Sequence, residues 1–426
     1  MTKIAVIGTG YVGLATGACL AHLGHEVVCA DIDAAKIDSL RRGVIPIVEL
    51  GLQELVEEGV GGGRLSFVVG ASVAAADCEI AFLCVPTPQG EDGSADLRYI
   101  EAAAREIAPV LPYEAVVVNK STVPVGSAKV VERVMGRADV KVVSNPEFLR
   151  EGSAIQDFLR PDRVVVGCDD RAAALKVAGL YDGINAPIIV TDPASAETIK
   201  YAANAFLATK LSFINAIAAI CEGVGADIND VVVGMGSDKR IGQDFLRPGP
   251  GWGGSCFPKD TRALSRIAKD AGYHFDLLDG VIAVNEEQFD RVADKIRNAA
   301  GVDPGKATVA VWGLTFKART DDLRDSPSLA IIQRLLASGS RVQAYDPTVS
   351  GPKAGLPSSI TIADTPYAAC RGADVLAVLT EWDDFRWLDV AEVKEAMNCH
   401  AVVDARNLLE PNEWRRNGFE YQGIGR

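Results

Sequence analysis

Apolar runs and glycine breaks alternate from the first residues onward. Lys3-Ile4-Ala5-Val6-Ile7 is a short, almost continuous apolar run that predicts a buried strand. The loop Gly8-Thr9-Gly10-Tyr11-Val12-Gly13 follows, then a helical pattern from Leu14 to Leu23 that Gly24 ends. Glu26-Val27-Val28-Cys29-Ala30 predicts a second strand stopping at Asp31, and two more are predicted at Glu79 to Val85 and Ala115 to Asn119. Strand alternating with helix is the signature of a parallel sheet covered on both faces. The far end of the chain repeats this grammar. Thr308 to Trp312 runs into Gly313, a helix is expected from near Pro327 to near Gly339, and the strand Arg341 to Tyr345 again ends at an aspartate, Asp346. Ala373 to Leu379 mirrors Ala76 to Val85, and Ala401 to Asp404 mirrors Ala115 to Asn119.

Between these two α/β halves lies an alanine-rich helical block, from Pro193 and Ser195 to Gly223 and Gly225. Its length is about 28 residues, roughly 42 Å at 1.5 Å per residue. A helix this apolar buries itself in a joint between domains or against a second subunit. Ala226 to Glu287 also reads as helical except for one loop, Phe245 to Ser255, the most glycine- and proline-dense segment of the chain, which ends at Cys256. The expected domains are residues 1–192, 193–300 and 301–426.

Composition narrows the function classes. The chain has 426 residues, 48% apolar and 23% charged, which suits two or three globular domains and excludes a disordered or fibrous chain. A net charge of −14 disfavours a nucleic-acid surface, while leaving room for a local basic pocket that holds a small anion. Nine cysteines without a C-x-x-C do not make a disulfide framework or a thiolate cage, and four histidines without H-E-x-x-H do not support a zinc hydrolase, so no metal is expected. Ile4 to Ala21 is uncharged, but glycines at 8, 10, 13 and 17 make it a loop and helix rather than a signal peptide or span. Ala202 to Ile220 carries Asn204, Lys210, Ser212 and Asn215, which fits a buried or interfacial helix better than a lipid span. A cytoplasmic protein with no membrane partner is expected.

Several segments carry chemistry. The first loop is G-x-G-x-x-G between a strand and a helix, whose glycines let backbone approach a pyrophosphate at the helix N-terminus. Asp31 lies eighteen positions after Gly13 at a strand end, where a carboxylate accepts from ribose hydroxyls and repels a 2′-phosphate. NAD is therefore the expected cofactor. Cys256 sits in Gly253-Gly254-Ser255-Cys256-Phe257-Pro258-Lys259-Asp260, where Pro258 suits a first helical turn. A thiol at a helix N-terminus ionises more readily, which favours a nucleophile over core filling; Lys259 would add to this effect, and Asp260, one turn on, would polarise a water near the sulfur. Cys19, Cys29, Cys84, Cys168 and Cys221 lie in apolar runs and read as small hydrophobes, while Cys78, Cys370 and Cys399 have no evident partner.

Other signals stay open on pattern alone. Lys200 and Asn204 share a face of the long helix, either as a functional pair or as a snorkelling lysine beside an amide. Asn145-Pro146-Glu147-Phe148-Leu149-Arg150-Glu151-Gly152 is either a solvated turn or a carboxylate site. Ser121-Thr122-Val123-Pro124 follows a strand, at the end where open parallel sheets bind ligands. Phe316-Lys317 occupies the same kind of place in the second half, and with Arg324 would supply positive charge for a phosphate.

Taken together, these segments resemble the UDP-glucose 6-dehydrogenase family of nucleotide-sugar dehydrogenases over essentially the whole chain. The resemblance rests on the glycine loop, Cys84-Val85-Pro86-Thr87-Pro88, Ser121 to Pro124, Asn145 to Gly152, Lys200-Tyr201-Ala202-Ala203-Asn204-Ala205-Phe206, Arg240-Ile241-Gly242, Gly253 to Asp260 and Phe316-Lys317. It implies an N-terminal Rossmann-type NAD domain, a long central helix that dimerises the chain and could support a higher oligomer, and a C-terminal Rossmann-like domain that holds UDP. It implies that UDP-glucose is oxidised twice at C6 to UDP-glucuronate, with Cys256 forming a thiohemiacetal and then a thioester.

Roles follow by the same resemblance. Lys200 and Asn204 would stabilise oxyanions, Asp260 and Lys200 would pass protons through a water, Glu147 would assist thioester hydrolysis and Thr122 would order the water. NAD would lie along Gly8, Gly10, Tyr11, Val12 and Gly13, with Asp31, Lys36, Pro86, Thr87, Thr122, Glu151 and Arg324. The sugar nucleotide would meet Glu147, Phe148, Leu149, Lys200, Asn204, Phe245, Gly253, Cys256, Phe316, Lys317 and Arg406, with Arg240 reaching the partner subunit's substrate. Trp252 stands where phenylalanine or tyrosine is more usual, and Ala216 where many bacterial members carry glutamate. The runner-up substrates are GDP-mannose and UDP-N-acetylhexosamines. Asp92-Gly93-Ser94-Ala95-Asp96-Leu97 is more similar to the UDP-glucose branch.

Overall fold

The computed structural model describes residues 1–88, 90, 95–351 and 353–426. Asp92, Gly93 and Ser94 of the branch-specific stretch lie outside them. The chain divides into two compact units, residues 1–203 with 262–271, and residues 204–261 with 272–426.

The first unit is built on an eight-stranded sheet. Its strands are β1 (Lys3–Ile7), β2 (Glu26–Asp31), β3 (Leu65–Val69), β4 (Ile80–Leu83), β5 (Val116–Asn119), β6 (Lys141–Ser144), β7 (Val164–Gly167) and β8 (Ile188–Thr191). They lie in the order β3-β2-β1-β4-β5-β6-β7-β8, all parallel except β6 against β7. The first six places are the doubly wound dinucleotide order, with its switch point between β1 and β4. Interior strands such as β4 and β5 are apolar on both faces because helices cover both, and the two cores flank the sheet.

The second unit repeats the plan. Strands β9 (Thr308–Trp312), β10 (Arg341–Tyr345), β11 (Thr361–Ile362), β12 (Val375–Val378), β13 (Ala401–Asp404) and β14 (Glu420–Gln422) lie in the order β11-β10-β9-β12-β13-β14. All are parallel, so the quasi-repeat legible in the sequence is a repeat of topology.

The long helix is Pro193–Val224, 32 residues rather than the expected 28. Asp192, not Ser195, caps it, accepting from the Ser195 N–H at 2.8 Å. Gly223 does not end it. Gly225 does, at φ +74°, with the Ala226 N–H closing back to Cys221 O in a Schellman turn. By length and composition this helix could cross a membrane, yet Ser212 in its middle is buried and donates to Val281 O. The helices that follow are Ile228–Gly236, Phe257–Asp270 and Asp276–Ala299. The open stretch before Cys256 is longer than expected: it starts after Gly236, where an Asp238–Arg240 turn and Gly242 at φ +70° stop the helical pattern.

Candidate active site

The glycine loop leaves β1 at the switch point. Gly8 adopts φ +100°, and a Cβ there would sit 2.7 Å from Cys84 O; at Gly13 one would sit 1.9 Å from Gly8 O. Only glycine allows these approaches. Gly10, by contrast, faces open space, and the helix Tyr11–His22 begins there with no side-chain cap. Uncapped N–H groups facing open space beside a backbone cradle fit a dinucleotide pyrophosphate. At the end of β2, Asp31 accepts from the Thr9 N–H at 3.0 Å and the Thr9 hydroxyl at 2.7 Å, with Lys36 Nζ at 3.2 Å. Burial would raise its pKa, but the Thr9 and Asp33 hydrogen bonds and the Lys36 charge outweigh that and hold it at about 2.

The C-terminal ends of β4 and β5 meet beside this cradle. Thr87 donates to Thr122 O at 2.9 Å and Ser121 to Val85 O at 2.7 Å, which ties the Pro86-Thr87 and Ser121-Thr122 segments together. After β6, Glu147 turns back on its own backbone and accepts from the Leu149 N–H at 2.6 Å. Its other oxygen pairs with Lys200 Nζ at 2.9 Å, both side chains about 5% exposed or less. Breaking such a buried pair from one side strands the other charge, a cost of about 3–5 kcal/mol. Phe148 stacks under the Arg163 guanidinium at 3.7 Å, and the Lys200 ammonium lies 5.4 Å from the same ring. Glu151 lies near the Tyr11 phenol, whose pKa is raised by burial first and then by Glu49, Glu147 and Glu151.

In the second unit Cys256 stands immediately before the helix Phe257–Asp270 as its N-terminal flanking residue, half-buried, with its carbonyl accepting from the Asp260 N–H. Asp260 is fully buried one turn on. One carboxylate oxygen accepts from Asn204 Nδ2 and the other from Lys259 Nζ, each at 2.6 Å. The ammonium expected to lower the thiol pKa is thus engaged by Asp260. Burial raises the thiols elsewhere, Cys78 to about 11 and Cys19, Cys84 and Cys370 to about 12, which keeps them protonated at neutral pH.

The loop ahead of Cys256 is fixed by contacts within this unit. A Cβ at Gly253 would fall 1.9 Å from Asp325 O, and one at Gly254 would fall 2.7 Å from the Phe316 ring. Trp252 is clamped by Asn285, donating to its Oδ1 and accepting from its Nδ2, and its indole donates to Ser212. Phe245 packs 6.3 Å from Phe257. Arg406 donates to Leu379 O and Phe316 O and pairs with Glu381, which places it beside Phe316 and Lys317.

Thus Thr122, Glu147 and Lys200 gather in the first unit, and Asn204, Cys256 and Asp260 in the second. Of the other expected ligands, Arg240 pairs with Asp238 and Arg324 with Asp322, both guanidiniums mostly exposed. Three buried ionic groups escaped the sequence reading. Lys120 donates to Asn145 Oδ1 and Tyr181 Oη; Glu49 accepts from the Gly152 and Ala154 N–H groups; Glu197 accepts from Gly126 N, Ala128 N and Ser144 Oγ. Lys120 adjoins Ser121-Thr122, and Glu197 lies three residues before Lys200; proximity to those motifs was the available signal.

A dinucleotide cradle at the switch point of one sheet, with a second sheet of the same order behind a cysteine loop, defines an NAD-dependent oxidoreductase of two α/β units. Models of the UDP-glucose/GDP-mannose dehydrogenase family match over the NAD-binding domain at residues 2–185, the central domain at 194–287 and the UDP-binding domain at 310–411. The chain belongs to this family. A UDP-glucose 6-dehydrogenase of Rhizobium meliloti is 48% identical, covering 100% of this chain and 99% of its own. UDP-glucose 6-dehydrogenase TuaD of Bacillus subtilis is 47% identical, covering 100% and 94%. A UDP-glucose dehydrogenase structure from Pyrobaculum islandicum superposes with a TM-score of 0.92 at 37% identity, covering 100% and 98%.

Proposed function

We propose that this chain oxidises UDP-glucose at C6 to UDP-glucuronate in two successive two-electron steps, with Cys256 as the covalent nucleophile. The observation that carries the reading is the placement of Cys256 immediately before a helix and one turn from buried Asp260, in a chain so similar to UDP-glucose 6-dehydrogenases over its whole length. Bound NAD supplies the hydride acceptor for both oxidations. After the first, C6 is an aldehyde. The Cys256 thiolate adds to it, forming a C–S bond, and the carbonyl oxygen takes a proton to give a thiohemiacetal. The second oxidation removes hydride from C6 and the proton from that oxygen, leaving a thioester. Water adds to the thioester carbon, the C–S bond breaks, and the thiolate leaves with the acid released. One sugar and one water thus become one carboxylate while two hydrides are taken up.

Lys200 and Asn204 are assigned to the developing oxyanions, where fixed donors stabilise charge most. Glu147 serves thioester hydrolysis and Thr122 orders the water. Lys317 and Arg406 hold the sugar nucleotide, and Arg324 the cofactor phosphates. A homodimer acting in the cytoplasm is part of the proposal. Phe206, Phe213 and Ile220 are 66%, 49% and 58% exposed and recur every seven residues along the long helix. A stripe with that period suits a helix seam with a second copy, an arrangement in which Arg240 reaches the partner's substrate.

The test is NADH formation with UDP-glucose, GDP-mannose and UDP-N-acetylhexosamines supplied singly. UDP-glucose should give the highest kcat/KM and two NADH per sugar consumed. A higher kcat/KM for another sugar nucleotide would reassign the substrate.

A further inference from the structure

Asn119 ends β5, after Val116, Val117 and Val118. It is 1% exposed, and among the described residues neither Oδ1 nor Nδ2 of its side chain has a hydrogen-bond partner. Buried amides keep partners almost without exception, and a valine would suit this strand at less cost. The side chain lines a small cavity with Ser121, Thr122, Ser144, Glu197 and Lys200. The cavity gives the centre of a water molecule about 10 Å³ of room, enough for one molecule. Val123 and Pro146 contribute apolar surface to its wall, and the side chains of Asn119, Thr122, Glu197 and Lys200 supply the polar partners that a retained water requires.

We propose that one ordered water occupies this cavity, accepting from the Lys200 ammonium and donating to the Asn119 amide, so that Asn119 is a positioning residue for Lys200. The amide oxygen faces the water, an orientation a flip about the last side-chain torsion permits. Glu197, already fixed by Gly126, Ala128 and Ser144, and Thr122 supply the remaining acceptors in the wall. Lys200 carries three N–H donors. The Glu147 ion pair is one of the contacts that orient the ammonium, and this water adds another. The water is internal and is not consumed in turnover. Supporting groups of this kind act on geometry, so their loss lowers turnover more than substrate affinity.

The inference rests on the proposed role of Lys200, and the experiment separates the two. A crystal structure of the unaltered protein at better than about 2 Å should show the water within about 3.2 Å of the Asn119 amide. Asn119→Leu removes both polar atoms at similar volume and should lower kcat by about three- to tenfold with KM for UDP-glucose within about twofold. Asn119→Ser, which leaves space and a hydroxyl for water, should recover at least about half of kcat. Well-defined density with no water in the cavity overturns the proposal, and that result stands even where the leucine variant does not fold. A folded Asn119→Leu enzyme with unchanged kcat overturns it too. If Lys200→Ala abolishes turnover in that case, the lysine's role survives and only the water relay falls. If Lys200→Ala is fully active, the role of the lysine falls first.

Discussion

Two aspartates at equivalent strand ends, Asp31 and Asp346, meet different fates. Asp346 is 1% exposed, and its Oδ2 accepts from the Leu314 and Thr315 N–H groups and the Trp382 indole. It closes its own loop and cannot reach a ribose. Asp31 keeps part of its carboxylate at the surface and is held ionised near a pKa of about 2. Asp31→Ala should therefore raise KM for NAD by about tenfold and narrow the preference over NADP, as loss of a charge-assisted contact predicts; initial rates with each cofactor check this. The same depressed pKa has a sign for stability. Its contribution is complete above the unfolded value of about 3.9 and is lost as pH falls through about 2. In Asp31→Asn the acid-side loss of Tm between pH 5 and 2 should accordingly be shallower than in the parent, by thermal melts across that range. Asp31 was legible because strand, loop and acid fall in one short segment. Glu197 was not, because its amide partners lie about 70 residues earlier in the chain.

At the scale of elements, the glycine-rich loop before Cys256 is the part most sensitive to a single carbon. A Cβ at Gly253 meets Asp325 backbone oxygen, so Gly253→Ala must displace the loop or the Asp325 turn. A loss of about 1–3 kcal/mol in stability is expected, with kcat/KM falling further because Cys256 follows the loop; chemical denaturation and kinetics on one preparation separate the two effects. For the long helix, Phe213→Glu places a charge in the exposed apolar stripe. It should shift the chain toward monomer in light scattering, while a dimer of unchanged strength would remove this face from the interface. The helix was legible from composition, and of the residues expected to mark its ends Pro193 opens it and Gly225 closes it, while the Asp192 cap was not foreseen. Strands β3, β7 and β8 were missed. A four-residue run such as Val164–Gly167 carries too little periodicity to stand out, and β8 is exposed rather than apolar-buried.

Across the whole molecule, one strand order is used twice for two ligand duties, and the proposed chemistry adds a thiol that neither sheet provides. The fold and cofactor were readable because the glycine loop and the repeated strand grammar are local. The ion pair of Lys200 with Glu147 and the hydrogen bond of Asn204 to Asp260 were not, since each joins residues more than 50 positions apart. The covalent role of Cys256 is the claim on which the four-electron reaction stands. Its most direct measurement is the product and NADH yield of Cys256→Ser, with NAD binding verified in the same variant. The account predicts intact NAD binding, no steady-state NADH and no UDP-glucuronate by mass; sustained formation of the acid with two NADH per sugar would contradict it.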